Sequence, residues 1–229
     1  MKSLYTILSL LCIGFCANQA FAQLSIKVGY DLSYSQNYQF NTIIEAYNRR
    51  QTTLDKSFKN FHTYNGLQVG GRLSPTDNIG FELGWHGGFK TLKSSGTNPA
   101  DQTAFTQQLA ISKNTISLGT EVIINDLLGI GGAYEYNLFN VRSKTTGIAN
   151  NFTFKDNYSA ARVMATIHLH GSELISLAIR FHYQIPIEAI DYTNFNAELN
   201  NISSPTLLEK IHTFGISLIL FNGNPVVQK

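Results

Sequence analysis

The sequence predicts an all-β fold, an eight-stranded antiparallel up-and-down transmembrane β-barrel, and three observations lead to it. Apolar residues recur at every second position through eight separate segments, the period of a half-buried strand. The links between those segments alternate strictly, three short turns against four long polar loops, as in a barrel with one tight rim and one elaborate rim. The polar face of the segments carries both ionisable residues and repeated glycines, the composition of a narrow lumen.

The chain opens with a segment outside this pattern. Lys2, an apolar stretch from Leu4 to Phe15 and the small-x-small Ala20-Phe21-Ala22 read as a secretory signal, with cleavage expected between Ala22 and Gln23. The expected organisation is a signal over 1–22, a barrel over 23–222 and a short tail over 223–229. Both cysteines, Cys12 and Cys16, fall in the signal, so the exported part offers no disulfide framework, thiolate metal site or cysteine nucleophile. Phe15 stands where lipoprotein processing wants a small residue.

The first strand places Leu24, Ile26, Val28, Tyr30, Leu32 and Tyr34 against Ser25, Lys27, Gly29, Asp31, Ser33 and Ser35. Leu67 to Leu73 and Ile79 to Phe89 repeat the alternation on either side of a Pro75-Thr76-Asp77-Asn78 turn. Ile116 to Ile124 and Ile130 to Leu138 form the next pair, then Val163 to Leu169 and Ile175 to Tyr183, and Phe214 to Leu220 closes the set. The long links run near 36–63, 91–104, 143–157 and 185–209. In the first of them Phe40, Ile43, Ile44 and Tyr47 keep helical spacing and Arg49 and Arg50 follow, which predicts a short amphipathic helix. That helix either caps the barrel mouth or presents an apolar patch to another envelope protein. A strand of about 10 residues rises roughly 33 Å, which a tilt near 45° projects to about 24 Å, the height of a barrel's lipid-facing band.

Three features turn the apolar face outward. The polar face carries Lys27, Asp31, Arg72, Glu82, Lys90, Glu121, Glu135, Arg162 and Arg180, with His86 and His182, a set able to pair within a narrow lumen. Gly29, Gly70, Gly84, Gly88, Gly119, Gly131 and Gly215 share that face. The apolar stripes turn aromatic toward the loop ends, at Tyr30, Tyr34, Trp85, Phe89, Tyr134, Tyr136, Phe181 and Tyr183, as interfacial girdles do. The competing arrangement is a soluble lipocalin-like barrel with its apolar face inward.

On strand count and loop asymmetry the chain resembles the small eight-stranded outer-membrane proteins of the OmpA/OmpX type from Gram-negative bacteria. The resemblance implies a non-enzymatic outer-membrane barrel with a structural or accessory, partner-binding role in the envelope. Outer-membrane lipid is its expected surroundings, and another envelope protein is an expected partner through the first loop if that loop's helix does not simply cap the mouth. Such barrels commonly end on an aromatic residue; here Phe221 closes the last strand and Asn222 to Lys229 follow. An OmpA-like peptidoglycan-binding domain is not expected after the barrel.

Chemistry is thinly written. A formal charge of +2, from 17 basic and 15 acidic residues spread along the chain, supplies no field for nucleic acid. His168 and His170 have chelating spacing without a third ligand, so no metal is expected, and no cofactor motif is present. His86, His182 and Ser176 raise the alternative of a lipid-modifying barrel enzyme, but without a recognisable motif no catalytic residue is assigned.

Overall fold

The computed structural model describes residues 23–76, 78–99, 101–125, 127–147, 151–169, 175–202 and 205–222. The expected signal over 1–22, the short link expected around His170, and the expected tail over 223–229 lie outside the described residues.

Eight strands make the wall: β1 (Gln23–Ser35), β3 (Thr63–Thr76), β4 (Ile79–Thr97), β5 (Ala104–Ile124), β6 (Leu128–Thr146), β7 (Thr153–Leu169), β8 (Ile175–Pro186) and β11 (Thr213–Asn222). A short β2 (Leu54–Lys56) adds to the upper end of β4, and β9 (Ile190–Asp191) pairs with β10 (Leu208–Glu209) in the last loop. Each wall strand pairs antiparallel with its sequence neighbour. The ring closes between the first and last, from Lys27 opposite Phe221 to Ser35 opposite Thr213. The long links at 36–62 and 187–212 carry two helices, α1 (Tyr38–Arg50) and α2 (Thr193–Asn200); the second has no counterpart in the sequence reading.

The apolar stripe faces outward. Leu83 is 60% exposed, Leu118 63% and Leu218 50%, while Lys27, Arg72, Glu121 and Arg180 on the other face are buried. Water would leave such a wall unsatisfied over a large continuous area, whereas lipid matches it. A soluble barrel with an apolar interior is the reverse of this arrangement.

Above the girdle the pattern inverts. In β4 the outward series Ile79, Phe81, Leu83, Trp85, Phe89 gives way to outward Thr91 and Lys93, with Leu92 and Ser94 buried inside. Likewise β5 buries Phe105, Leu109 and Ile111, β6 buries Phe139 and Val141, and β7 buries Phe154 and Tyr158. The phase of apolarity shifts by one residue where the wall leaves lipid for water, because each side chain then prefers the other side. The segments read as loops near 91–104 and 143–157 are therefore largely ladder, continuous from Lys90 opposite Ile111 to Thr97 opposite Ala104, and from Arg142 opposite Thr153 downward.

The inward apolar surface above the membrane is covered by a lid. Phe40 of α1 stacks on Phe195 of α2 at 4.9 Å between ring centroids and 7° between planes, and meets Phe61, Phe139 and Tyr192 edge-on. Asn41 and Asn48, seven positions apart on α1, hold the returning chain: Asn41 accepts from the Phe61 amide at 2.8 Å, and Asn48 accepts from the Phe58 amide at 3.0 Å. The first turn of α1 lacks a side-chain cap of its own. Glu209 of β10 supplies it from the other loop, accepting from the Tyr38 amide at 2.5 Å. Burial pushes the Glu209 carboxyl up, against the backbone N–H groups of Gln39, Tyr38 and Phe40 that pull it down.

Candidate functional site

Below the lid the lumen is filled by charge, in two tiers. In the lower tier Glu82 of β4 accepts from Arg180 of β8 through both oxygens, at 2.7 and 2.8 Å, from Arg72 of β3 at 3.2 Å, and from Lys27 of β1. Glu121 of β5 pairs with Arg72, with Arg180 at 3.4 Å and with His168 Nε2 at 3.3 Å. Six strands thus meet at these two carboxylates. A fork of donors on each Arg lets one guanidinium serve two acids, which a Lys could not do as well.

The upper tier centres on Glu135 of β6. Arg162 of β7 lies 2.6 Å from one oxygen, and Gln184 of β8 donates to the other at 2.6 Å. Gln184 accepts in turn from Lys113 of β5 at 2.5 Å, and Lys113 sits 6.0 Å from the Tyr64 ring centroid and 5.8 Å from that of Tyr158. Asp31 accepts from Ser217 at 2.6 Å, with His182 Nε2 3.7 Å away. His86 Nε2 lies 3.2 Å from Ser117 Oγ and 3.4 Å from an Arg162 guanidinium nitrogen.

The lumenal glycines make room for these side chains. A Cβ at Gly80 would stand 2.4 to 2.5 Å from the Arg72 guanidinium, and one at Gly215 would stand 2.5 Å from the His182 ring. Long charged groups lie flat across glycine floors on neighbouring strands, which is how a narrow interior holds so many.

Lys27, Asp31, Arg72, Glu82, His86, Glu121, Glu135, Arg162, Arg180 and His182 all lie in this interior. Lys90 does not: β3 ends at Thr63, and through the step in the wall Lys90 Nζ reaches Thr63 Oγ1 at 3.3 Å at the exposed rim. The sequence reading missed Lys113, His168 as a Glu121 partner, Gln184 and Asn137. Lys113 shares the inward phase of Glu121 and Ser117 and was legible only by carrying that phase below Ile116.

The first-loop residues also need correction as a docking patch. Phe40, Ile43, Ile44 and Tyr47 are 5% exposed or less, packed into the barrel mouth, so they present nothing apolar to a partner. Arg50 donates to the Asn200 carbonyl at the end of α2, a cation on a helix C-terminus, and Arg49 is exposed. Phe221 stands at the end of the last strand, buried inside with Ile219 and Ala178, and Phe214 is the outward aromatic of β11. Among the described residues no cluster of three or more His, Asp or Glu side chains could hold a metal.

A closed antiparallel ring with a lipid-matched exterior, an aromatic girdle and an ion-paired interior defines an outer-membrane β-barrel. Within that class the solved structures it resembles are themselves outer-membrane barrels. Ail of Yersinia pestis matches with a TM-score of 0.46 at 10% identity, over 88% of this chain and 98% of that one. Neisserial surface protein A matches with 0.46 at 5% identity over the same shares, and the outer membrane protease OmpT of Escherichia coli with 0.34 at 9% identity, over 88% and 95%. No protein-family model matches the chain, and no curated protein matches it in sequence.

Proposed function

We propose that this is a non-enzymatic outer-membrane barrel, closed to solutes, with a structural or accessory role in the envelope. The observation that carries this reading is that two independent fillings stand in series along the lumen, the charge network and the aromatic lid. The cavity between them, lined by Asp31, Tyr64, His86, Lys113, Arg162 and His182 among others, measures about 20 Å³, room for one water.

The lipid-modifying alternative finds little support in the geometry. Ser176 and His182 are six residues apart on one strand, about 20 Å. The His86 and Ser117 pair is close enough, but the same imidazole nitrogen faces the Arg162 guanidinium, and both residues are buried in the ion-paired interior. A general base needs its lone pair free for the nucleophile's proton and a site where substrate can enter. A partner protein reaching the first loop meets the polar side of α1, with Tyr38, Thr42, Glu45 and Arg49 exposed.

Planar-bilayer recording on purified protein tests the reading. The expected trace is silent, and a steady open level would overturn it.

A further inference from the structure

The outer wall carries a groove of about 480 Å³ where β1, β3 and β4 meet, lined by Tyr30, Leu67 and Phe89 with Asn65, Lys90 and Thr91 around them. It lies along the β3–β4 ladder where Leu67 is opposite Gly87, with the Trp85 and Phe89 rings closing over Gly87 on the outside, while Gly66 and Gly88 are turned toward the lumen. That volume is in the range of small-molecule and lipid-fragment sites. The groove's apolar part belongs to the lipid-facing belt, and its polar part lies where the pattern inverts, so it spans the boundary between acyl chain and headgroup.

The wall beside and above it is cationic. Lys93 lies four residues beyond Phe89, about 9 Å higher at a 45° tilt, within reach of headgroups for a side chain that can snorkel downward. Lys93 is opposite Gln108, and Gln108 is opposite Lys144, so the two lysines share a row about 10 Å apart across two strand spacings. Arg142 stands opposite Ala110 and Lys155 opposite Asn140, completing a patch over β4 to β7. The outward positions of these four strands above the belt hold no acidic residue among those described. β2 brings Lys56 and one acid, Asp55, to the same edge.

We propose that this surface seats lipid A, the phosphorylated lipid of the outer leaflet. An acyl chain lies along Tyr30, Leu67 and Phe89, Lys90 and Lys93 take one phosphate, and the row toward Arg142 and Lys144 takes the other. A headgroup with two separated phosphates matches cations spread over several strands better than a single phosphodiester does, and each lysine near an anionic headgroup strengthens binding about fivefold. The seat lies outside the lumen and does not depend on whether the barrel conducts, so its failure would leave the closed-barrel reading standing.

The test is titration of full-length, detergent-solubilised protein with lipid A, dephosphorylated lipid A and phosphatidylcholine, followed by Trp85 fluorescence and by lipid retained after washing. The K90Q/K93Q pair is compared with K59Q/K210Q, which removes two exposed lysines elsewhere. The expected result is lipid A binding weakened about twenty-five-fold by K90Q/K93Q and unchanged by the control pair, with dephosphorylated lipid indifferent to both. Equal loss in both pairs would reduce the effect to net charge and overturn the seat. So would phosphatidylcholine binding as tightly as lipid A, or K90Q/K93Q binding like wild type while its gel mobility shift shows an intact barrel.

Discussion

Replacing Glu82 by glutamine keeps the side chain's length and removes one charge from the centre of the lower tier. Glu82 and Glu121 together face three permanent cations, Lys27, Arg72 and Arg180. The substitution leaves those three around a single carboxylate, removes one of the two forked contacts of Arg180 and turns an NH2 donor toward the cations in its place. Breaking a buried pair from one side costs about 3–5 kcal/mol, because the partner charge stays behind without compensation. For a chain of this size that lowers the unfolding midpoint by about 6–20 °C. The assay is the change in gel mobility between folded and heat-unfolded protein in mild detergent, read as a function of temperature. A second variant separates charge from packing: E82Q/K27M returns the excess of cations over carboxylates to its original value and recovers part of the loss, with a coupling of about 1 kcal/mol or more. A midpoint for E82Q within about 2 °C of wild type would refute the network as a stabilising element. Strict additivity of E82Q and K27M would refute the electrostatic account of it.

Other substitutions probe the glycine floors and the lid. G80A forces a methyl into the Arg72 guanidinium and should cost about 1–3 kcal/mol. G71A, whose new methyl meets nothing nearer than a carbonyl oxygen at 3.9 Å, should stay within about 0.5 kcal/mol in the same gel assay. F40A removes the ring at the centre of the lid and should weaken its docking by about 3–5 kcal/mol. Limited proteolysis would then cut near α1 faster, while bilayer recordings stay silent because the charge tiers remain below. E209A should loosen the same lid by about 1 kcal/mol, and E209Q should be milder because it keeps an acceptor for the Tyr38 amide. The Glu209 carboxyl is raised in the folded protein, so its contribution is full below the ordinary carboxylate value and is lost as pH rises through the raised one. Lid protection from protease should therefore be no weaker in mild acid than at neutral pH in wild type, and E209Q should remove this component.

What could be read beforehand divides at the membrane boundary. Within lipid, Leu24 to Tyr34 or Ile79 to Phe89 alternate in one phase, and strand, face and lumenal charge follow from that period alone. Above lipid the phase slips, so Thr91, Lys93 and Gln108 outside with Leu92, Leu109 and Phe139 inside look like a lost pattern to a reader holding one phase. Lys113 keeps the inward polar phase of Ser117 and Glu121 but stands beyond Ile116, where the clear alternation starts, and Lys90 reads as inward because periodicity cannot know that β3 stops at Thr63. The helical spacing of Phe40, Ile43, Ile44 and Tyr47 was legible, but not what it packs against, since Phe139, Tyr192 and Phe195 come from the other end of the chain. α2 is short and its apolar residues, Phe195 and Leu199, are too few to declare a helix.

The two helices of the lid hang from the seam of the barrel. α1 follows β1, α2 and β10 lead into β11, and β1 with β11 is the pairing that closes the ring. Stacking Phe40 on Phe195 and capping α1 with Glu209 is thus possible only when first and last strands have come together. The lid behaves as a latch thrown after the door shuts: it adds resistance to unzipping at the joint made last. A chain whose last strand is not yet in place leaves Phe40 without Phe195 and Tyr192 against it, so the mouth is sealed only in the finished ring.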